Sequence, residues 1–372
     1  MFRRLLRQVA LFLVIAAPVV CQRVTLKRSH LQEYENAEFR GSAMLPASGD
    51  HGRRLAVWGD KLRIQRGPRF RLHDVEDLPS FGAGGCVADV NQDGEPDLVL
   101  HQLPLPGEKP GGLGRMVWLE GPFWESHEID TDADFDDCLA TTMFGKRGIL
   151  IIHRRAQIRF YEIPEKLKGH WSYQEIYSIY TPSAQGGLLR ADIDGDGNPD
   201  ILAGNYWVKS PATAEAPWQL FAINKWWEKP RSAMLRLAAA KNPDTPFPVL
   251  VAAEAEADEA RLAWFERPAD PTQFWRENKL EALPPLRRPK ALAAADLSGS
   301  LRNDIIVGEN IGDGSRLLVY WNLGGGKYQG TRIDLTPGLT AIYPVDFDGD
   351  GDLDLLGVGP RVVGLWKNQR LK

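Results

Sequence analysis

Acidic turns alternate with unbroken apolar runs along most of this chain. Asp89-Val-Asn-Gln-Asp-Gly-Glu-Pro-Asp97 leads into Leu98-Val-Leu100, and Asp192-Ile-Asp-Gly-Asp-Gly-Asn-Pro-Asp200 leads into Ile201-Leu-Ala203. Asp296-Leu-Ser-Gly-Ser-Leu-Arg-Asn-Asp304 leads into Ile305-Ile-Val307, and Asp346-Phe-Asp-Gly-Asp-Gly-Asp-Leu-Asp354 opens a further copy. Short apolar runs rich in β-branched residues predict strands buried on both faces. An aromatic run follows, as in Met116-Val-Trp-Leu119, Leu262-Ala-Trp-Phe265 and Leu318-Val-Tyr-Trp321. An alternating segment comes last, such as Trp124 to Ile129 or Tyr328 to Ile333, and predicts a fourth strand with one wet face.

The first Asp residues stand at 89, 192, 296 and 346, which are 103, 104 and 50 residues apart. One period is therefore about 50 residues, the length of a propeller blade. Weaker copies fill the gaps at Pro46 to Gly59, Thr141 to Gly148 and Lys241 to Pro248, where the turn and the apolar strand persist without the full set of acids. Seven copies of four strands predict an all-β, seven-bladed β-propeller of antiparallel blades. The expected blades lie near 37–77, 82–130, 134–179, 185–234, 235–281, 287–335 and 339–372. The last copy stops after its third strand. Val24 to Leu31 has the fourth-strand pattern, so residues 24–32 are expected to complete the last blade and close the ring, hiding its edges.

Composition adds a setting. Residues 1–22 carry Arg3, Arg4 and Arg7 before an apolar run from Val9 to Val20, which reads as an export signal rather than a membrane span. Cleavage is expected near Cys21 or Gln22. Val20 stands where a lipoprotein would need a small residue. Residues 23–372 then form a single domain, secreted or held at the cell surface or periplasm. A net charge of −4 supplies no basic field for nucleic acid. Beyond Cys21 only Cys86 and Cys138 remain. Either they pair, or they are two small buried apolar residues.

The acidic turns carry the metal chemistry. Calcium takes six to eight oxygens, and a tight turn with acids or amides at positions 1, 3, 5 and 9 plus the carbonyl of position 7 can supply them. Gly at position 6 permits the turn. Three copies fit: Asp89, Asn91, Asp93 and Asp97 with the Glu95 carbonyl; Asp192, Asp194, Asp196 and Asp200 with the Asn198 carbonyl; and Asp346, Asp348, Asp350 and Asp354 with the Asp352 carbonyl. The Asp296 copy has Ser300 for an acid and Leu301 for Gly, so weak or no binding is expected there, and none in the copies near 46, 141 and 241. These are not EF-hands, because position 12 is Leu100, Ala203 or Gly357 instead of Glu. The repeat resembles the FG-GAP/VCBS proteins, including integrin-α-like propellers, across nearly the whole mature chain. That resemblance implies about three structural Ca²⁺ ions and a fold used for adhesion, ligand binding or interaction.

No catalytic motif stands out. Among the seven histidines, His30, His73 and His127 share one place in the fourth-strand repeat, which favours packing. There is no His-Glu-x-x-His and no Gly-x-Ser-x-Gly. Gly324-Gly-Gly326 reads as a hairpin turn. Candidate ligand-binding residues are His101, Asn205, Tyr206, Trp207, Glu309 and Asn310, at the ends of second strands on the face opposite the acidic turns. Crossings such as Asp134 to Asp137 reach that face too, and Asp136 with Asp137 is an acid pair suited to proton transfer. The reading is a binding propeller for a protein or carbohydrate ligand, expected to be a monomer; the alternative is a lyase or hydrolase acting on polysaccharide at the channel mouth.

Overall fold

The computed structural model describes residues 24–49, 52–65, 71–108, 112–180, 186–241, 243 and 247–369. The expected export signal lies outside them, as do Asp50 and His51 of the first repeat copy.

Strand β1 is Leu26–Glu33. Blade 1 holds β2 (Phe39–Leu45), β3 (Arg54–Gly59), β4 (Leu62–Gln65) and β5 (Leu72–Val75). Blade 2 holds β6 (Phe81–Ala88), β7 (Asp97–Gln102), β8 (Arg115–Glu120) and β9 (Glu125–Asp130). Blade 3 holds β10 (Phe135–Met143), β11 (Lys146–His153), β12 (Gln157–Glu162) and β13 (Tyr173–Ser178). Blade 4 holds β14 (Leu188–Ala191), β15 (Asp200–Ala203), β16 (Tyr206–Lys209) and β17 (Gln219–Ala222). Blade 5 holds β18 (Leu235–Ala240), β19 (Val249–Glu254), β20 (Leu262–Glu266) and β21 (Arg276–Lys279). Blade 6 holds β22 (Ala291–Ala295), β23 (Asp304–Gly308), β24 (Ser315–Gly324) and β25 (Lys327–Thr336). Blade 7 holds β26 (Ala341–Val345), β27 (Asp354–Gly359) and β28 (Val362–Asn368).

Each blade is a four-stranded sheet in sequence order, except the last, whose order is β1-β28-β27-β26. There β1 runs antiparallel to β28, from Leu26 opposite Asn368 to Glu33 opposite Val362. The N-terminal strand therefore closes the ring, as its pattern predicts.

The core is seven seams rather than one centre. Seven apolar clusters each join two neighbouring blades, and one of them packs Leu55 and Val57 of blade 1 on Leu356 and Leu365 of blade 7. A sheet between two others buries both faces, which is why every residue of β7, β19 and β27 is buried. The blade 2 seams are tight. A Cβ on Gly84 would lie 2.1 Å from the Phe135 carbonyl oxygen, and one on Gly85 would lie 2.6 Å from the Trp58 ring. The Phe81-Gly-Ala-Gly stretch thus meets a local demand for close approach. Across the seam to blade 3, Cys86 of β6 and Cys138 of β10 form a disulfide, with Cα atoms 5.3 Å apart. Of the two readings of these cysteines, pairing is the one the fold adopts.

Candidate functional site

The four acidic turns all join the first and second strands of a blade, so they share one face of the ring. Their backbone design is common to all four. The Asp at position 1 accepts the N–H of position 6: Asp89 from Gly94, Asp192 from Gly197, Asp296 from Leu301 and Asp346 from Gly351. Position 6 is left-handed in each, with φ of 87°, 88° and 89° for Gly94, Gly197 and Gly351 and 64° for Leu301. A bulky residue at such a φ is strained. The turn keeps its shape in the copy that has lost the acids at positions 3 and 5.

Position 9 is a buried staple. Asp97 accepts Val90 N–H and Gly121 N–H at 2.7 and 2.8 Å, and Asp200 accepts Ile193 N–H and Ser210 N–H at 3.0 and 2.7 Å. Asp304 and Asp354 bond in the same manner to Leu297 with Asn322 and to Phe347 with Asn368. Each ties its turn to the third strand. Burial pushes the Asp97 and Asp304 carboxyls up to about 6, against the pull of those N–H groups.

The acids at positions 1, 3 and 5 lie nearer solvent. One oxygen each from Asp192, Asp194 and Asp200 fall within 4.8 Å of one another, as do those of Asp346, Asp348 and Asp350. An ammonium reaches into both clusters: Lys209 bonds Asp194 and, at 3.1 Å, Asp196, while Lys367 bonds Asp348 at 2.9 Å. In blade 2 that place is taken by Glu120, which accepts the Asn91 amide at 3.0 Å. Asp89 Oδ1 in this turn is buried without a hydrogen-bond partner. Glu95 turns outward to Ser48 of the neighbouring copy, at 2.7 Å. Nearby, His127 is 4.5 Å from the Trp118 ring and 3.0 Å from Glu120, a packed histidine as its place in the repeat implies. His30, in the equivalent place on β1, is exposed instead.

On the opposite face, the ends of the second strands hold the blade crossings. Glu309 is 1% exposed and accepts N–H bonds from Arg316 Nε and Nη2, at 2.9 and 2.6 Å, and from the Arg287 backbone of the incoming crossing at 2.7 Å. Glu254 repeats this with Arg261 and the Arg231 N–H. His153 takes the same place in blade 3, its Nδ1 accepting Asp134 N–H at 3.4 Å. These are clasps between blades. The ligand-binding candidates fall among them: His101, Asn205, Tyr206, Trp207 and Glu309 are all buried, and Asn310 is half-buried. His101 bonds the Leu113 carbonyl and packs on Phe135. None of the six lines the central cavity.

Burial, with the Arg159 charge, holds the His153 imidazole down to about 4. The unfolded chain binds that proton near 6.5, so between these values it holds more protons than the native state. His153 therefore contributes stability that is full above pH 6.5 and falls away as pH drops to 4, by about 3 kcal/mol. In His153→Gln, the drop in melting temperature between pH 7 and pH 4.5 should be smaller than in the wild type. An equal drop in both proteins would remove this assignment.

The innermost strands enclose a cavity of about 400 Å³. Its mouth lies on the crossing face, where these strands begin. Arg40, Asp136, Arg236 and Lys290 come from blades 1, 3, 5 and 6, joined by Asp137, Arg155 and Glu256. Arg155 pairs with Asp136 at 3.2 Å, Arg236 with Asp137 at 3.7 Å and Lys290 with Glu256 at 3.9 Å. Burial raises the Asp137 carboxyl above its ordinary range, with Arg236 and the N–H groups of Gly187 and Leu188 opposing. Deeper, Tyr343 of blade 7 donates to the Ser42 carbonyl of blade 1 at 2.7 Å, and burial pushes its phenol up to about 12. Of this group the sequence singles out Asp136 and Asp137 as an acid pair, and places Glu256 and Lys290 only within a loop and a crossing of this face. The rest occupy places where the repeats differ, so periodicity carries no signal for them.

Among the described residues no helix is long and apolar enough to cross a membrane. No curated protein matches the sequence. Residues 296–357 match the FG-GAP-like repeat. Among similar solved structures is the crystal structure of BBS1N in complex with ARL6DN, soaked with mercury, at a TM-score of 0.58 and 12% identity over 94% of this chain and 98% of that one. At that identity the likeness is one of fold. With the matched repeat spanning the turns of blades 6 and 7 and the same turn recurring in blades 2 and 4, the chain is an FG-GAP-repeat β-propeller.

Proposed function

We propose that this chain is an exported, calcium-stabilised interaction propeller whose two faces divide the work. The acidic-turn face holds the fold together, and the charged cavity on the crossing face binds the ligand. The observation that carries the reading is the cavity itself, in which seven charged side chains from four blades converge above apolar walls that include Trp58, Leu237 and Ile342. A protein of this fold assembles with ARL6DN, which supports an interaction role. The Cys86–Cys138 disulfide supports an oxidising compartment.

Calcium fits the residues present. Asp89 Oδ1 is a buried anionic oxygen without a partner, and such a group is costly unless a cation neutralises it. In blades 4 and 7 a lysine ammonium already stands among the acids, as a cation would. Asp89, Asn91, Asp93 and Asp97, Asp192 to Asp200, and Asp346 to Asp354 would hold the ions, with the carbonyls of Glu95, Asn198 and Asp352. The ions would supply charge neutralisation and cross-linking of each turn.

A ligand bound only by the native state adds about 2.7 kcal/mol per site at a hundredfold excess over Kd. Chelation with EGTA should therefore lower the melting temperature by several degrees, and added calcium should restore it. Asp194→Ala should reduce the calcium-dependent part and Asp296→Ala should leave it. A melting curve unmoved by EGTA, with no metal found by elemental analysis, would end the calcium reading.

A further inference from the structure

Arg40 and Arg236 each bond a carbonyl of the next blade, yet the ring does not need charge at the cavity mouth. The first strands reach the same level with Ala83 in blade 2, Gly187 in blade 4 and Ala341 in blade 7. Small residues therefore satisfy the ring at this depth. Yet blades 3, 5 and 6 bring charged side chains that are only 13–47% exposed in their ion pairs. Partly desolvated charges that packing does not need are expensive, and their gathering in one cavity marks a binding site.

The order of charge limits what can bind. A site for a simple anion would gather its cations and exclude acids. Here each cation has an acid beside it: Arg155 with Asp136, Arg236 with Asp137, Lys290 with Glu256. Two of these pairs, at 3.7 and 3.9 Å, are longer than a hydrogen bond, so their partners keep hydrogen-bonding capacity for a ligand group placed beside them. A ligand for this ring must present an acceptor with negative charge to Arg236 and Lys290, and hydroxyl donors to Asp136 and Glu256. Carboxylate and hydroxyls on one compact frame are the chemistry of a uronic acid. A cavity of about 400 Å³ suits one or two sugar rings.

We infer that the crossing-face cavity binds a uronic-acid sugar, with Arg236 and Lys290 on the carboxylate and Asp136 and Glu256 on the hydroxyls. This rests on the reading of the cavity as the ligand site.

The test is calorimetric titration of the calcium-loaded full chain with four probes: a galacturonate trisaccharide, a glucuronate disaccharide, maltotriose and inorganic sulfate. One of the uronates should bind at least tenfold tighter than maltotriose and sulfate. Arg236→Gln and Lys290→Gln should each weaken it at least tenfold. Lys290 is half-exposed, so Lys290→Gln should melt with the wild type and serves if Arg236→Gln is unstable. Sulfate bound as tightly as uronate, or maltotriose bound equally well, would overturn the inference while leaving the cavity as the ligand site. Uronate binding indifferent to both variants would overturn the inference and the cavity together. No uronate binding at all would overturn the inference alone, because the response to EGTA tests the rest of the functional reading separately.

Discussion

Asp304→Ala should cost the native state about 3–5 kcal/mol, and calcium should not change that cost. The residue sits in the one repeat copy that lacks the acids at positions 3 and 5, so metal loss cannot account for the effect. Its carboxylate is fully buried. Oδ2 accepts Leu297 N–H at 3.1 Å and Ser298 N–H at 3.3 Å, and Oδ1 accepts Asn322 N–H at 2.8 Å. Alanine leaves these donors buried without partners, at about 1–3 kcal/mol each before relaxation. Asp200→Ala should show the same cost in EGTA plus an added loss in calcium, whereas Asp194→Ala should show the calcium part alone. Urea melts of the three variants with and without EGTA separate the two roles. An Asp304→Ala protein as stable as the wild type would refute the staple.

That contrast also marks where the sequence is a sufficient guide. The period of about 50 residues and the seven blades are legible because each blade repeats one burial problem: a sheet covered on both faces must carry continuous apolar second strands such as Leu98 to Leu100. Closure by β1 is legible because the last copy lacks its fourth strand and the alternating pattern of that strand stands at the other end. The ninth acid of the turn is different. Metal binding and turn stapling both call for Asp there, so the residue type alone cannot separate them. Only Asp304, kept where the acids at positions 3 and 5 are gone, shows that the staple stands by itself. The cavity is harder still. Arg40, Asp136, Arg236 and Lys290 are far apart in the chain, at the starts of first strands where the repeat keeps no residue type, and ring closure alone brings them together.

Glu309→Ala should destabilise the protein by about 3–5 kcal/mol and leave ligand affinity unchanged in the fraction that stays folded. As a residue at the end of a buried strand on the ligand face, Glu309 looks like a recognition group. Its surroundings say otherwise. The carboxylate is paired to a buried Arg316, whose remaining donors reach the Pro284 and Pro285 carbonyls at 2.8 Å each. The pair therefore ties the second and third strands of blade 6 to the chain arriving from blade 5. Removing the acid strands a buried guanidinium, which accounts for most of the expected cost. Arg316→Met in the Glu309→Ala background should recover part of it, because the uncompensated charge goes with the arginine. Replacing Glu254 should cost a comparable amount, since Arg261 and the Arg231 N–H surround it in the same geometry. Thermal melts of the singles and the double decide the matter. A Glu309→Ala protein with wild-type stability and weakened ligand binding would return this residue to the binding surface and break the analogy between the two clasps.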